Sequence, residues 1–278
     1  MPLDQVLSRH FEALGSTCSL FGVGLGADRL ERGEAWVRAL HARLTRFEPG
    51  SELSRLNAAA GSWFPVGDEL EDLLRESLRA WELSSGLVNV AVLGAMHGIG
   101  YQRSLSAGRP GGGAAAELTA LRPLPEVLKV GPGRARVEPG VGIDLGGIAK
   151  GWMADRLAGR LGDNALANLG GDLRALGPGP DGDGWPVDFG GVTVLLREQG
   201  AATSSTRRRA WRMGEATLHH LIDPRTGRPA AGDLAEVSVV AATAVQAEVC
   251  AKTALLLGSE PAPAFLAAHC QAWWLGKG

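Results

Sequence analysis

The chain has 278 residues and a mass of 29.0 kDa, with 45% hydrophobic and 21% charged residues and a mean hydropathy of +0.02. These values exclude wholesale disorder and, despite 40 Gly and 15 Pro, a collagen-like chain. A net charge of −2 leaves no basic field that would advertise nucleic acid or an anionic membrane, so the expected partner is a small molecule or another protein.

In chain order, a strand is predicted over Thr17 to Leu25. A helix follows from about Asp28 to Thr45, with Leu30, Val37, Leu40 and Leu44 near helical spacing. Pro49-Gly50 ends it, and Ser51 seeds a short helix. A second long helix runs from about Asp68 to Ser84 on Leu70, Leu73, Leu74, Leu78 and Trp81. A glycine-rich stretch from Gly94 to Ala116 contains the run Gly111 to Gly113, expected to be a loop or hairpin tip. Strands at Leu128 to Val130 and Ala135 to Val137 lead to Gly142-Ile143-Asp144-Leu145-Gly146-Gly147-Ile148-Ala149-Lys150-Gly151.

A helix is predicted from Gly147 to Leu161, stopped by Gly162. Ala165 to Leu173 reads as strand, Gly170-Gly171 turn and strand, and short strands are expected at Pro186 to Phe189, Val192 to Leu196 and Ser238 to Ala242. The last strong helix spans Thr243 to Leu257, with a Thr243/Gln246 capping pair and Gly258 as terminator. Strands and helices do not alternate strictly, which predicts an α+β fold.

Several patterns have plain readings. Gly22 to Ala27 fits a dinucleotide fingerprint, with Glu48 about twenty residues on, but no second βαβ half follows, so a strand end and turn is expected. Cys18, Cys250 and Cys270 are odd in number and widely spaced, which predicts buried free thiols. The uncharged stretches Ala13 to Ala27 and Val237 to Ala247 are shorter than the roughly 20 residues of a membrane span. The first residues show no basic segment followed by an apolar one, so a cytoplasmic protein is expected.

Two segments carry chemistry. Lysine is scarce, with Lys129, Lys150, Lys252 and Lys277 set against 24 arginines. In Asp144 to Gly151 the paired glycines permit close backbone approach, the helix start presents N–H groups, and Lys150 adds a cation in the first turn. The combination suits a phosphate; the alternative is a solvated surface lysine. His219 to Gly227 packs His, Asp, Arg and Thr around a turn, suited to acid/base chemistry or phosphate orientation, or simply to a surface hairpin. It lacks zinc-ligand spacing.

The ordered set Phe47 to Asn57, Asp144 to Gly151, Asn168 to Asp172, Ala202 to Ser205 and His220 to Gly227 resembles the ApbE family of FAD:protein FMN transferases. The likeness runs from about Ala13 to Gly258. It implies one domain over 1–278, with an α+β fold and FAD in a cleft between two lobes. It also implies a magnesium-assisted reaction in which a Thr or Ser hydroxyl of an acceptor protein attacks the FMN-side phosphorus and AMP leaves. Carried over residue by residue, Gly15, Ser16, Asn57, Gly147, Lys150, Gly170, Gly171 and Thr203 would line the flavin nucleotide. His220, Asp223 and Thr226 would sit near the pyrophosphate.

The resemblance implies magnesium ligands at a backbone carbonyl near Ala149 and at two positions of the last helix, where an Asp and a Thr are typical. This chain has Glu248 and Lys252 there. Glutamate can still ligate; an ammonium would repel the cation and instead put a fixed positive charge near the pyrophosphate, the alternative being an ordinary surface i,i+4 pair of Glu248 and Lys252. Val88-Asn89-Val90 likewise replaces a typical Phe-Asp-Pro. These departures leave two expectations: a flavinyltransferase, or an FAD-binding relative with weakened turnover acting as a flavin carrier or sensor.

Overall fold

The computed structural model describes residues 6–103, 119–189, 191–207, 209–213 and 216–278; the expected loop at Gly111 to Gly113 lies outside them. Seven strands form one sheet in the order Val6–Ala13, Ser16–Val23, Ala165–Leu169, Asp172–Leu176, Gly200–Ser205, Leu234–Ala241 and Ala272–Lys277. Every pairing is antiparallel. Mixed helices and antiparallel strands make the fold α+β, as the sequence predicts.

The period-2 alternation of these strands separates two cores. Ala165, Ala167 and Leu169 face a core shared with the helices Ala27–Leu44 and Ala149–Leu161, while Leu166 joins Leu173, Val240 and the hairpin residues Trp185 and Leu196 on the other face. The helix Ala244–Leu257 covers Val237, Val239 and Ala202 on the helical face. It is apolar nearly all round, so it is buried on most of its circumference and carries Glu248 into the interior at 4% exposure.

Close helix contact depends on small residues. A Cβ on Gly151 would lie 2.8 Å from the carbonyl oxygen of Ala244, so the two helices meet backbone to backbone there. Asp155, one turn on, accepts from the N–H groups of Ala244 at 2.8 Å and Val245 at 3.0 Å, and thereby joins Thr243 in capping the buried helix.

A smaller sheet of Phe64–Pro65, Arg134–Val137 and Leu128–Gly131 packs with the helix Asp68–Leu83. Ser51 caps the helix Glu52–Ala58, its hydroxyl accepting from the Ser54 N–H at 3.0 Å. The predicted strand to Leu25 ends at Val23, because Gly24 turns the backbone at φ +68, so Gly22 to Ala27 is a strand end and turn. Cys18, Cys250 and Cys270 are free; the first two are buried, whereas Cys270 is only half-buried, at the end of the helix Ala262–His269. Among the described residues no helix is long and apolar enough to cross a membrane.

Candidate active site

A cavity of about 640 Å³ opens between the large sheet with its helices and the helical segments around 44–48 and 87–101. This volume falls within the roughly 300–1,000 Å³ typical of small-molecule sites. Its wall includes Gly15, Gly147, Ala149, Lys150, His220 and Lys252 from the sequence-predicted set. It also includes Asn89, noted in the sequence where an Asp is typical, and Arg46, Tyr101 and Arg209, which sequence reasoning did not single out.

The floor is the segment 142–151. Asn57 accepts from the N–H of Ile143 at 2.8 Å and donates to its carbonyl at 2.9 Å, which fixes the strand-to-helix turn. Expected to touch flavin, Asn57 is spent on this backbone clamp and is not part of the cavity wall. Asp144 accepts from the Gly146 N–H at 2.7 Å and pairs with Arg46 at 2.5 Å. The Arg46 guanidinium lies 4.2 Å from the ring centre of Phe47 and 4.8 Å from that of Tyr101, the only tyrosine of the chain. The aromatic residues of the wall thus carry the Arg46–Asp144 ion pair against their rings.

The helix start does not offer the row of open N–H groups that the sequence suggests. Ile148 and Ala149 donate to the carbonyl of Leu145 at 3.1 and 2.9 Å, and Gly151 donates to the Glu248 carboxylate at 2.9 Å. The anion at this helix terminus is thus Glu248, delivered by the neighbouring buried helix. Its other oxygen lies 3.8 Å from the Lys150 ammonium, which also pairs with Asp172.

Asp172 is 2% exposed and follows the Gly170-Gly171 turn, whose φ values of +71 and +98 suit a two-residue hairpin. A Cβ on Gly170 would lie 2.5 Å from the Ser16 hydroxyl, so Ser16, Gly170 and Lys150 are neighbours, although Ser16, Gly170 and Gly171 stand behind the wall. Burial lowers the Lys150 pKa to about 8 against the pull of Glu248.

His220 sits on the wall with Nδ1 buried and without a hydrogen-bond partner. Burial, reinforced by Arg209 and Lys252, holds its pKa well below the ordinary histidine value, so the ring is neutral at physiological pH. The structure does not bring Asp223 and Thr226 to the wall beside it. Asp223 is gripped by Arg225, which donates from Nε at 2.9 Å and Nη2 at 2.7 Å, and Thr226 is exposed. Thr203 shares a hydrogen bond of 2.9 Å with Ser238 and is also off the wall.

The expected magnesium position has the wrong donors. Glu248 is turned onto an N–H and an ammonium, and Lys252 donates to the carbonyl of Gly147. Among the described residues no group of three or more His, Cys, Asp or Glu is arranged to hold a metal ion. As directed here, these donors do not offer the several oxygens in octahedral array that a divalent cation wants beside Ala149 and Glu248.

The sequence profile of the ApbE family matches residues 14–274. This chain belongs to the ApbE family. It is 32% identical to an FAD:protein FMN transferase of Treponema pallidum, over 78% of this chain and 67% of that protein. It is 27% identical to an FAD:protein FMN transferase of Salmonella typhimurium, over 94% and 81% of the two chains. The fold matches the ApbE protein of Thermotoga maritima with a TM-score of 0.85 at 20% identity, covering 98% of this chain and 94% of the other. It also matches the apo form of the Pseudomonas stutzeri flavinyl transferase ApbE with a TM-score of 0.80 at 23% identity, covering 100% and 96%.

Of the residues the structure adds to the site, Asp172 closes the ApbE-like segment Asn168 to Asp172 and Arg46 adjoins the segment Phe47 to Asn57, so both were within reach of sequence reasoning. Arg209, in a run of arginines at 207–209, carries no such signal.

Proposed function

We propose that the chain is an FAD:protein FMN transferase: it takes FAD as substrate, moves FMN to a Thr or Ser hydroxyl of an acceptor protein and releases AMP. The observation that carries this reading is one cavity holding a neutral His220 with a buried Nδ1 beside Lys150, Lys252 and Arg209, in a member of the ApbE family. The whole chain, 1–278, is taken as one catalytic unit, since the cavity draws its wall from Leu14 to Lys252.

In this reading the apolar wall residues, among them Leu87, Val88 and Met153, take the flavin, and the cations Lys150, Lys252 and Arg209 take the pyrophosphate. His220 accepts the proton of the acceptor hydroxyl as that oxygen forms a bond to the FMN-side phosphorus. The phosphorus bond to the bridging oxygen breaks, and AMP leaves with the electron pair. Lys150, Lys252 and Arg209 balance charge that develops on the phosphoryl oxygens, which is the main demand of phosphoryl transfer. Asp223 acts at one remove, by shaping with Arg225 the turn that follows His220.

A second reading, an FAD carrier or sensor, is favoured by Asp223 and Thr226 standing off the wall. Incubation with FAD and a bacterial lysate separates the two. A transferase yields AMP and a protein band bearing covalent flavin, whereas a carrier returns intact FAD.

A further inference from the structure

We propose that Lys252 provides the fixed positive charge that holds the FAD pyrophosphate, so that this chain binds FAD without a divalent cation. The inference rests on the reading of the cavity as an FAD site.

Lys252 projects from the buried helix Ala244–Leu257 into the cavity wall, and its ammonium donates to the carbonyl of Gly147. An ammonium has three donors, so this anchor leaves two for phosphate oxygens. Glu248, one helical turn earlier, is committed to the Gly151 N–H at 2.9 Å and stands 3.8 Å from Lys150. The oxygens that could have gathered around a divalent ion are therefore directed at protein hydrogens, and the space beside the Gly147 carbonyl is filled by an amine.

Gly147 belongs to the same device. Its φ is not in the left-handed region, yet a Cβ there would overlap the Lys252 ammonium. The glycine thus keeps open the seat of the cation rather than serving the turn. Lys150 cannot take this part alone, because Asp172 and Glu248 already offset its charge, whereas among the described residues Lys252 forms no ion pair. A lysine acts on phosphate as a compact point charge, which suits retention of a pyrophosphate without metal geometry.

The test is FAD titration of the full chain, followed by flavin fluorescence, in EDTA and in excess Mg²⁺. The expected dissociation constants agree within about twofold, and Lys252→Thr weakens binding in EDTA by at least about tenfold. Gly147→Ala, which displaces only the end of a flexible side chain, is expected to weaken FAD binding in the parent but not in the Lys252→Thr background, a double-mutant coupling. Binding in the parent that drops tenfold or more in EDTA, or a Lys252→Thr chain that binds normally there, overturns the inference while leaving the FAD site standing. No FAD binding in either buffer overturns the FAD reading itself. Should Lys252→Thr fail to fold, the parent comparison in EDTA and Mg²⁺ decides alone.

Discussion

Removal of the Asp155 carboxylate tests how the site is held, because this side chain ties the lysine-bearing helix Ala149–Leu161 to the start of the helix that carries Glu248 and Lys252. Its two oxygens accept from Ala244 N–H at 2.8 Å and Val245 N–H at 3.0 Å, with Arg174 at 3.8 Å. Loss of a helix cap costs about 0.5–2 kcal/mol, and hydrogen bonds to a charged group are worth roughly 1.5–3 kcal/mol each. Burial offsets part of this, since it raises the Asp155 pKa despite both N–H donors. Thr243 still caps Gln246 at 3.2 Å.

The net expectation for Asp155→Ala is a loss of about 2–3 kcal/mol, or about 4–6 °C in Tm for a chain of this size. Asp155→Asn keeps one acceptor and should fall between. The raised pKa also fixes the sign with pH: the folded state holds this proton more tightly than the unfolded chain. The contribution of Asp155 titration to stability is therefore lost as pH rises through its folded pKa, not gained. Chemical denaturation of parent and variants, with FAD titration alongside, gives the measurement. A loss under about 0.5 kcal/mol for Asp155→Ala would refute the cap as a structural tie.

His220→Ala should lower AMP release by at least about 100-fold while FAD affinity changes little. Because the ring is neutral well below the usual histidine range, the acid limb of kcat/KM should lie below pH 6.5; a limb at ordinary histidine values would remove His220 from the role of base. Lys150 loses its proton near pH 8, so FAD affinity should hold below that value and fall by roughly tenfold by pH 9, with the fall flattened in Lys150→Arg. An affinity constant to pH 9.5 would show that the Lys150 charge does not hold FAD. Gly170→Ala places a Cβ at φ +71 against the Ser16 hydroxyl, and a destabilisation of about 1–3 kcal/mol is expected in thermal melts.

Local signals were enough for the long helices. Ser51 and Thr243 are caps, Gly162 and Gly258 are terminators, and Leu70, Leu73 and Leu74 form a buried stripe; each acts within a few residues of itself. The Gly170-Gly171 hairpin was legible for the same reason, since only glycine enters both left-handed positions without strain. The ordered ApbE-like segments placed Lys150, Gly147 and His220, and the structure puts all three on one cavity wall.

The sequence could not show Gly200–Ser205 as a strand. Its small residues carry no alternation, and it exists because Leu234–Ala241 and Asp172–Leu176 pair on either side of it. Nor could it show that Asn57 clamps Ile143, that Arg46 meets Asp144, or that Glu248 rather than a ligand faces the Gly151 N–H. Those partners are 86, 98 and 97 positions apart in the chain. The side-chain periods that identify helices and strands act over a few residues, whereas the pairing of charges is decided only when packed helices bring distant positions together. Residue types and turns were thus written locally; the neutrality of His220, the occupant of the helix start and the seat of Lys252 came from burial and long-range contact.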